Sequence, residues 1–319
     1  MKPKLHFTAP YHWINDPNGL IYYKGNYHIF YQHFPYDNKW GTMHWGHAIT
    51  KDFVNFEHLP IALYPSKDFD RNGCFSGSAI EIDGQLYLYY TAIKYAKENP
   101  SNVHNQYSDD DLRASQALVV SSDGIHFDNV KNKKQIIPMI QEAYLGDYRH
   151  TRDPKVWKHG DYFYLVCGSK KNNLASALLY RSKDLKNWEF FNVLAESRGE
   201  FGYMWECPDF YEIGDKHVLM FSPMGINERT SVYLVGDMNY DTGKFTYTNV
   251  GQIDYGFDYY APQSFLDSKG RRIIVGWANA WDWMPWWKDW GPSFKEGWCG
   301  FFDQERWFCV RIIPLSLFQ

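Results

Sequence analysis

The sequence predicts an all-β fold, a five-bladed β-propeller, on three observations. A glycine opens the same kind of aromatic or β-branched run five times, at positions 25, 84, 160, 214 and 270. The intervals of 59, 76, 54 and 56 residues match one four-stranded blade with its loops. Aromatic residues make up 19% of the 319, which favours strands, and no segment sustains a helical period.

The five runs are Gly25-Asn26-Tyr27-His28-Ile29-Phe30-Tyr31, Gly84-Gln85-Leu86-Tyr87-Leu88-Tyr89-Tyr90, Gly160-Asp161-Tyr162-Phe163-Tyr164-Leu165-Val166, Gly214-Asp215-Lys216-His217-Val218-Leu219-Met220 and Gly270-Arg271-Arg272-Ile273-Ile274-Val275-Gly276. Each is too short for a helix and starts from a turn residue. A second recurrence, Thr50-Lys51-Asp52, Ser121-Ser122-Asp123 and Ser182-Lys183-Asp184, reads as a tight turn into an outer strand, with no chemistry of its own. The longest interval holds Ala96 to Arg113, rich in Asn, Asp and Ser, which reads as a surface loop inserted in blade two.

A net charge of -4 argues against nucleic acid as a partner, since phosphate backbones are held by clustered Lys and Arg. No apolar stretch is long enough to span a bilayer, and the first residues lack the apolar core of a secretory signal, so the expectation is a soluble, cytoplasmic protein with no membrane partner. Cys74, Cys167, Cys207, Cys299 and Cys309 have neither the even count nor the spacing of a disulfide framework or zinc site and read as free thiols. His12, His44 and His47 fit no metal motif and read as hydrogen-bonding residues; no metal site is expected.

If each repeated glycine marks the turn after an innermost strand, the residues just upstream face the central channel. Asp16, Asp153 and Glu206 lie nine, seven and eight residues before their glycines, in what reads as one common phase. An isolated Asp-Pro is usually a turn. Three acids in equivalent strands instead converge on one pocket. Glycosidic hydrolysis needs that arrangement: one carboxyl protonates the leaving oxygen, and another attacks the anomeric carbon or activates water.

His12-Trp13-Ile14-Asn15-Asp16-Pro17-Asn18-Gly19, Phe75-Ser76-Gly77-Ser78, Arg152-Asp153-Pro154 and Glu206-Cys207-Pro208 resemble the signature motifs of glycoside hydrolase family 32, the β-fructofuranosidases. Met43-His44-Trp45-Gly46-His47, His58-Leu59-Pro60-Ile61-Ala62-Leu63 and Gly276-Trp277-Ala278-Asn279 extend the resemblance across residues 5 to 302. It implies a five-bladed propeller, in agreement with the repeat count. It also implies Asp16 as nucleophile, Glu206 as general acid/base and Asp153 as transition-state stabiliser, with Asn15, Gln32, Trp40, Phe75, Ser76, Arg152, Asp258 and Trp277 around the fructose. Glu206 must carry a proton when substrate binds; Trp205 beside it is an apolar neighbour, and Arg152 an opposing charge.

The resemblance further implies a retaining β-fructofuranosidase acting on sucrose or sucrose 6-phosphate, with an exo-acting inulin or levan hydrolase, or a truncated sugar-binding propeller with little activity, as alternatives. The partner is a small-molecule or oligosaccharide β-fructoside, and the two-carboxylate mechanism needs no cofactor. Family members continue into a C-terminal β-sandwich, whereas the likeness here fades at Asp303-Gln304-Glu305-Arg306. The expectation is a catalytic propeller over 1–302, a truncated sandwich, and a tail over 303–319 that is a truncation or frameshift remnant. A propeller face without its sandwich would expose apolar surface and favour self-association.

Overall fold

The structure is a computed structural model that describes residues 2–226, 231–256, 258–278 and 291–303. Blade one holds β1 (His12–Tyr23), β2 (Asn26–Phe34), β3 (His44–Thr50) and β4 (Phe56–Leu63), and blade two holds β5 (Gly73–Ile82), β6 (Gln85–Tyr95), β7 (Leu112–Ser121) and β8 (Lys134–Ile137). Blade three is β9 (Arg152–His159), β10 (Tyr162–Lys171), β11 (Leu174–Ser182) and β12 (Glu189–Glu196). Blade four is β13 (Met204–Ile213), β14 (Lys216–Met224), β15 (Val232–Asn239) and β16 (Lys244–Gln252). Blade five contains β17 (Tyr260–Leu266) and β18 (Arg272–Ala278); after a short helix, α1 (Pro292–Lys295), come β19 (Trp298–Cys299) and β20 (Phe301–Phe302). The sheets are antiparallel meanders, except that β19 joins β1 in parallel while β20 pairs with β18. The tail from residue 304 lies outside the described residues.

The first strand of each blade is innermost: β1, β5, β9, β13 and β17 contact one another in a closed ring. All five repeated glycines sit between first and second strands with positive φ, as a tight turn requires. Second strands are buried on both faces, which explains their unbroken apolar pattern. In β6, Leu86, Leu88 and Tyr90 pack toward blade one, while Tyr89 packs toward blade three. The same division recurs in β10, where Tyr164 and Val166 face blade four and Phe163 and Leu165 face blade two. The core is thus a set of wedges between neighbouring blades, and bulky aromatics fill them.

The Ser/Thr-x-Asp turns connect third to fourth strands, as expected. In each, the hydroxyl of Thr50, Ser121 or Ser182 accepts backbone N–H groups, and the following Asp caps two more. In blade four Asn239 takes over this capping. Among the described residues no helix is long and apolar enough to cross a membrane.

Candidate active site

Every innermost strand carries a register shift near its axial end. In β1 the shifts fall between Ile14 and Pro17 and between Asn18 and Ile21, and in the other innermost strands between Phe75 and Gly77, Arg152 and Lys155, Glu206 and Asp209, and Tyr260 and Gln263. Such bulges insert an extra residue and re-aim side chains. Four of them contain proline, which lacks a ladder donor and is tolerated there. Aligned on Pro17, Pro154, Pro208 and Pro262, Asp16 and Asp153 match Cys207 and Ala261, whereas Glu206 matches Asn15, Arg152 and Tyr260. The single phase expected for the three acids is therefore corrected. Glu206 stands one position earlier, and the bulge lets consecutive residues of one strand reach the same pocket.

Asp153, Cys207 and Ala261 hold φ of 66°, 48° and 50°, strained for non-glycine residues. Each donates its backbone N–H to the preceding blade: Asp153 to Thr91 Oγ1 at 2.8 Å, Cys207 to Asp153 Oδ2 at 2.9 Å, and Ala261 to Ser222 Oγ at 2.8 Å. Close approach also matters at Gly168 of β10, where a Cβ would stand 1.8 Å from the Trp205 carbonyl oxygen. Only glycine allows β13 to bring Glu206 that near to blade three.

The three acids line one cavity of about 450 Å³, together with Asn15, Gln32, Trp40, Phe75, Ser76 and Arg152. Asp16 Oδ2 accepts the Ser76 hydroxyl at 2.6 Å and the Cys207 thiol at 3.3 Å, while Oδ1 has no hydrogen-bond partner among the described residues. Burial pushes the Asp16 carboxyl above the ordinary aspartate value; Ser76 opposes the rise and Glu206 adds to it. Burial likewise raises Asp153, to about 7, with Arg152 pulling down and Glu206 and Asp16 pushing up. Glu206 accepts from Arg152 Nη2 at 2.6 Å on one oxygen and from the Tyr260 hydroxyl on the other. Arg152 also approaches Asp153 at 3.8 Å and donates to His150 Nδ1 at 2.9 Å. Burial and the Arg152 charge lower His150 to about 3, so its ring is neutral and accepts through Nδ1.

The fructose-side residues are held from behind. Asn15 Oδ1 accepts Trp13 Nε1 at 2.7 Å, Gln32 Nε2 donates to the Cys74 carbonyl at 3.0 Å, and Trp40 meets Phe75 edge to face at 5.6 Å. Two expected contacts are elsewhere. Trp277 is fully buried, with its ring against Trp13 and Tyr260, and supports the wall without lining the cavity. Asp258 is half-buried between β16 and β17 and is not among the described residues lining the cavity. Trp205 also faces away from Glu206's pocket: strand alternation turns it into the wedge between blades three and four, stacked on Phe221 at 4.2 Å.

Sequence reasoning missed Tyr260, although it occupies the place of Arg152 and Glu206 relative to the bulge proline, which is a readable signal. The bridging role of Cys207 was also missed; its backbone and thiol touch two different acids. The loop from Ala96, read as surface, brings Gln106 and Asp109 to the cavity mouth, where Arg149, Lys170 and Tyr203 also stand. Beneath the acids, Asn18, Gly77, Pro154, Cys207 and Gln263 close around a void with no room for water. His12, His44 and His47 are engaged with Asn38, the Thr42 carbonyl and His28 respectively.

The chain is similar to known proteins in sequence and in fold. The family described as glycosyl hydrolases family 32 N-terminal domain matches residues 6–306. The chain is 41% identical to a sucrose-6-phosphate hydrolase of Escherichia coli over 318 residues, 95% of this chain and 61% of that protein. It is also similar to a GH32 β-fructofuranosidase of Bombyx mori, with a TM-score of 0.82 and 37% identity over 95% of this chain and 61% of that one. A sucrose-6-phosphate hydrolase from Lactobacillus gasseri superposes with a TM-score of 0.78 at 29% identity, covering 94% of this chain and 59% of that one. The chain thus spans about 61% of the length of the Escherichia coli relative.

Proposed function

The chain belongs to family 32 of the glycosyl hydrolases, and from that premise we propose that it hydrolyses the terminal β-D-fructofuranoside of sucrose or sucrose 6-phosphate with retention of configuration. The observation that carries this reading is the gathering of Asp16, Asp153 and Glu206 on one sugar-sized cavity. Residues 1–302 are the catalytic unit in this proposal.

Asp16 attacks the anomeric C2 of the fructosyl unit through Oδ1, the oxygen with no hydrogen-bond partner among the described residues. Glu206 delivers its proton to the departing oxygen, so the bond to the leaving sugar breaks without releasing a free alkoxide. Water then enters, gives a proton to Glu206, attacks C2 and frees Asp16, restoring the enzyme and the β configuration. Asp153 accepts hydrogen bonds from fructose hydroxyls that tighten as positive charge develops at C2. Arg152 holds both Glu206 and the blade-three side of the pocket in place.

The test is Asp16→Asn, with Glu206→Gln beside it. Each is expected to lower sucrose turnover by more than about 1,000-fold while equilibrium sugar binding persists. Unchanged hydrolysis in Asp16→Asn would sink the mechanism. A reaction followed by NMR reports the anomer released first, and α-fructofuranose as that first product would overturn retention.

A further inference from the structure

We infer that Lys170 is the contact for a phosphate monoester on the leaving sugar and makes the chain select phosphorylated β-fructosides over neutral ones; this rests on the reading of Glu206 as proton donor. The proton donor fixes where the leaving group lies. Around Glu206 the cavity wall comes from blades three and four, through Arg152, Lys170, Tyr203 and Met224. Gly168 pairs with Arg152 across β9 and β10, and Lys170 lies two residues farther along the same strand face. That step places it roughly 7 Å nearer the mouth than Arg152.

Among the described residues three cations line the cavity, and they differ in what holds them. Arg152 is committed to Glu206, and Arg149 to Asp147 and Asp110. Lys170 makes no ion pair among the described residues; its ammonium rests over the Tyr203 ring, 4.7 Å from the centroid. Tyr203 in turn meets His150 edge to face at 6.0 Å, which gives the lysine a fixed platform. On the same cavity, Gln106 Oε1 is buried without a hydrogen-bond partner among the described residues and its amide donates to Asp109 at 3.3 Å. An acceptor of that kind suits a sugar hydroxyl, and an ammonium without an ion pair on the same wall suits a phosphate. Asp109 is the one carboxylate on this part of the described wall outside the three acids, and it opposes an anion.

The experiment measures kcat/KM for sucrose 6-phosphate and for sucrose at one ionic strength, in the unmodified chain and in Lys170→Gln, Lys170→Arg and Asp109→Asn. The unmodified chain is expected to prefer the phosphorylated substrate. In Lys170→Gln the ratio falls about tenfold, equivalent to about 1.4 kcal/mol, and mainly through KM. Lys170→Arg restores most of it, and Asp109→Asn raises it. An unchanged ratio in Lys170→Gln, or no phosphate preference in the unmodified chain, overturns the inference while leaving fructoside hydrolysis intact. Should neither sugar be hydrolysed, the reading of function fails separately. Calorimetric titration of both sugars then decides the matter: Lys170-dependent binding of sucrose 6-phosphate supports the inference, and equal affinities overturn it.

Discussion

Asp16 sits in a balance of opposed influences, and Ser76 is the adjustable one. Burial raises the Asp16 carboxyl, the Ser76 hydroxyl lowers it, and the Glu206 charge raises it again. As the proposed nucleophile Asp16 works as a carboxylate, so activity is expected to fall as pH drops through its value. Ser76→Ala removes a donor that favours the charged form, and the acid limb of kcat/KM is expected to move to higher pH. The apparent value belongs to the cluster, because Asp153, raised to about 7, lines the same cavity. A pH–rate profile on sucrose checks this, and an acid limb in the same place or lower would refute it.

At the scale of elements, the bulges connect motif to mechanism. Each strained residue ahead of a bulge proline gives its N–H to the preceding blade, so the site and the blade contacts share the same hydrogen bonds. Ser222→Ala strips the Ala261 N–H of its acceptor inside the core and is expected to destabilise the fold by about 1–3 kcal/mol, read from the denaturant midpoint. A change within error would mean that the bulge holds itself. The blade count was legible because second strands are apolar on both faces and start from glycine. The phase of the acids was not, because a bulge shifts alternation by one residue and leaves no mark in hydropathy. Trp205, adjacent to Glu206, likewise read as its apolar neighbour, and Trp277, which the family resemblance implies around the fructose, stands in the wall: an aromatic ring gives the same signal in a wedge as in a pocket.

For the whole molecule, the ring must close between the last blade and the first. Phe302 pairs with Phe7, stacks against its ring at 5.5 Å, and is almost fully buried, while β19 adds to the edge of β1. Phe302→Ala is expected to cost about 3–5 kcal/mol, as a large buried ring lost at a closure does. Chemical denaturation measures it, and a loss below about 1 kcal/mol would place the closure elsewhere. The closed floor beneath the acids has a different kind of consequence. Within the described residues, everything that enters must leave by the way it came. In the proposed reaction the first sugar has to clear the doorway before water can arrive, and fructose must follow it out. Traffic is therefore single file. In the proposed reaction any sugar that re-enters the doorway competes with water for its place at C2, and the outcome becomes a matter of queueing.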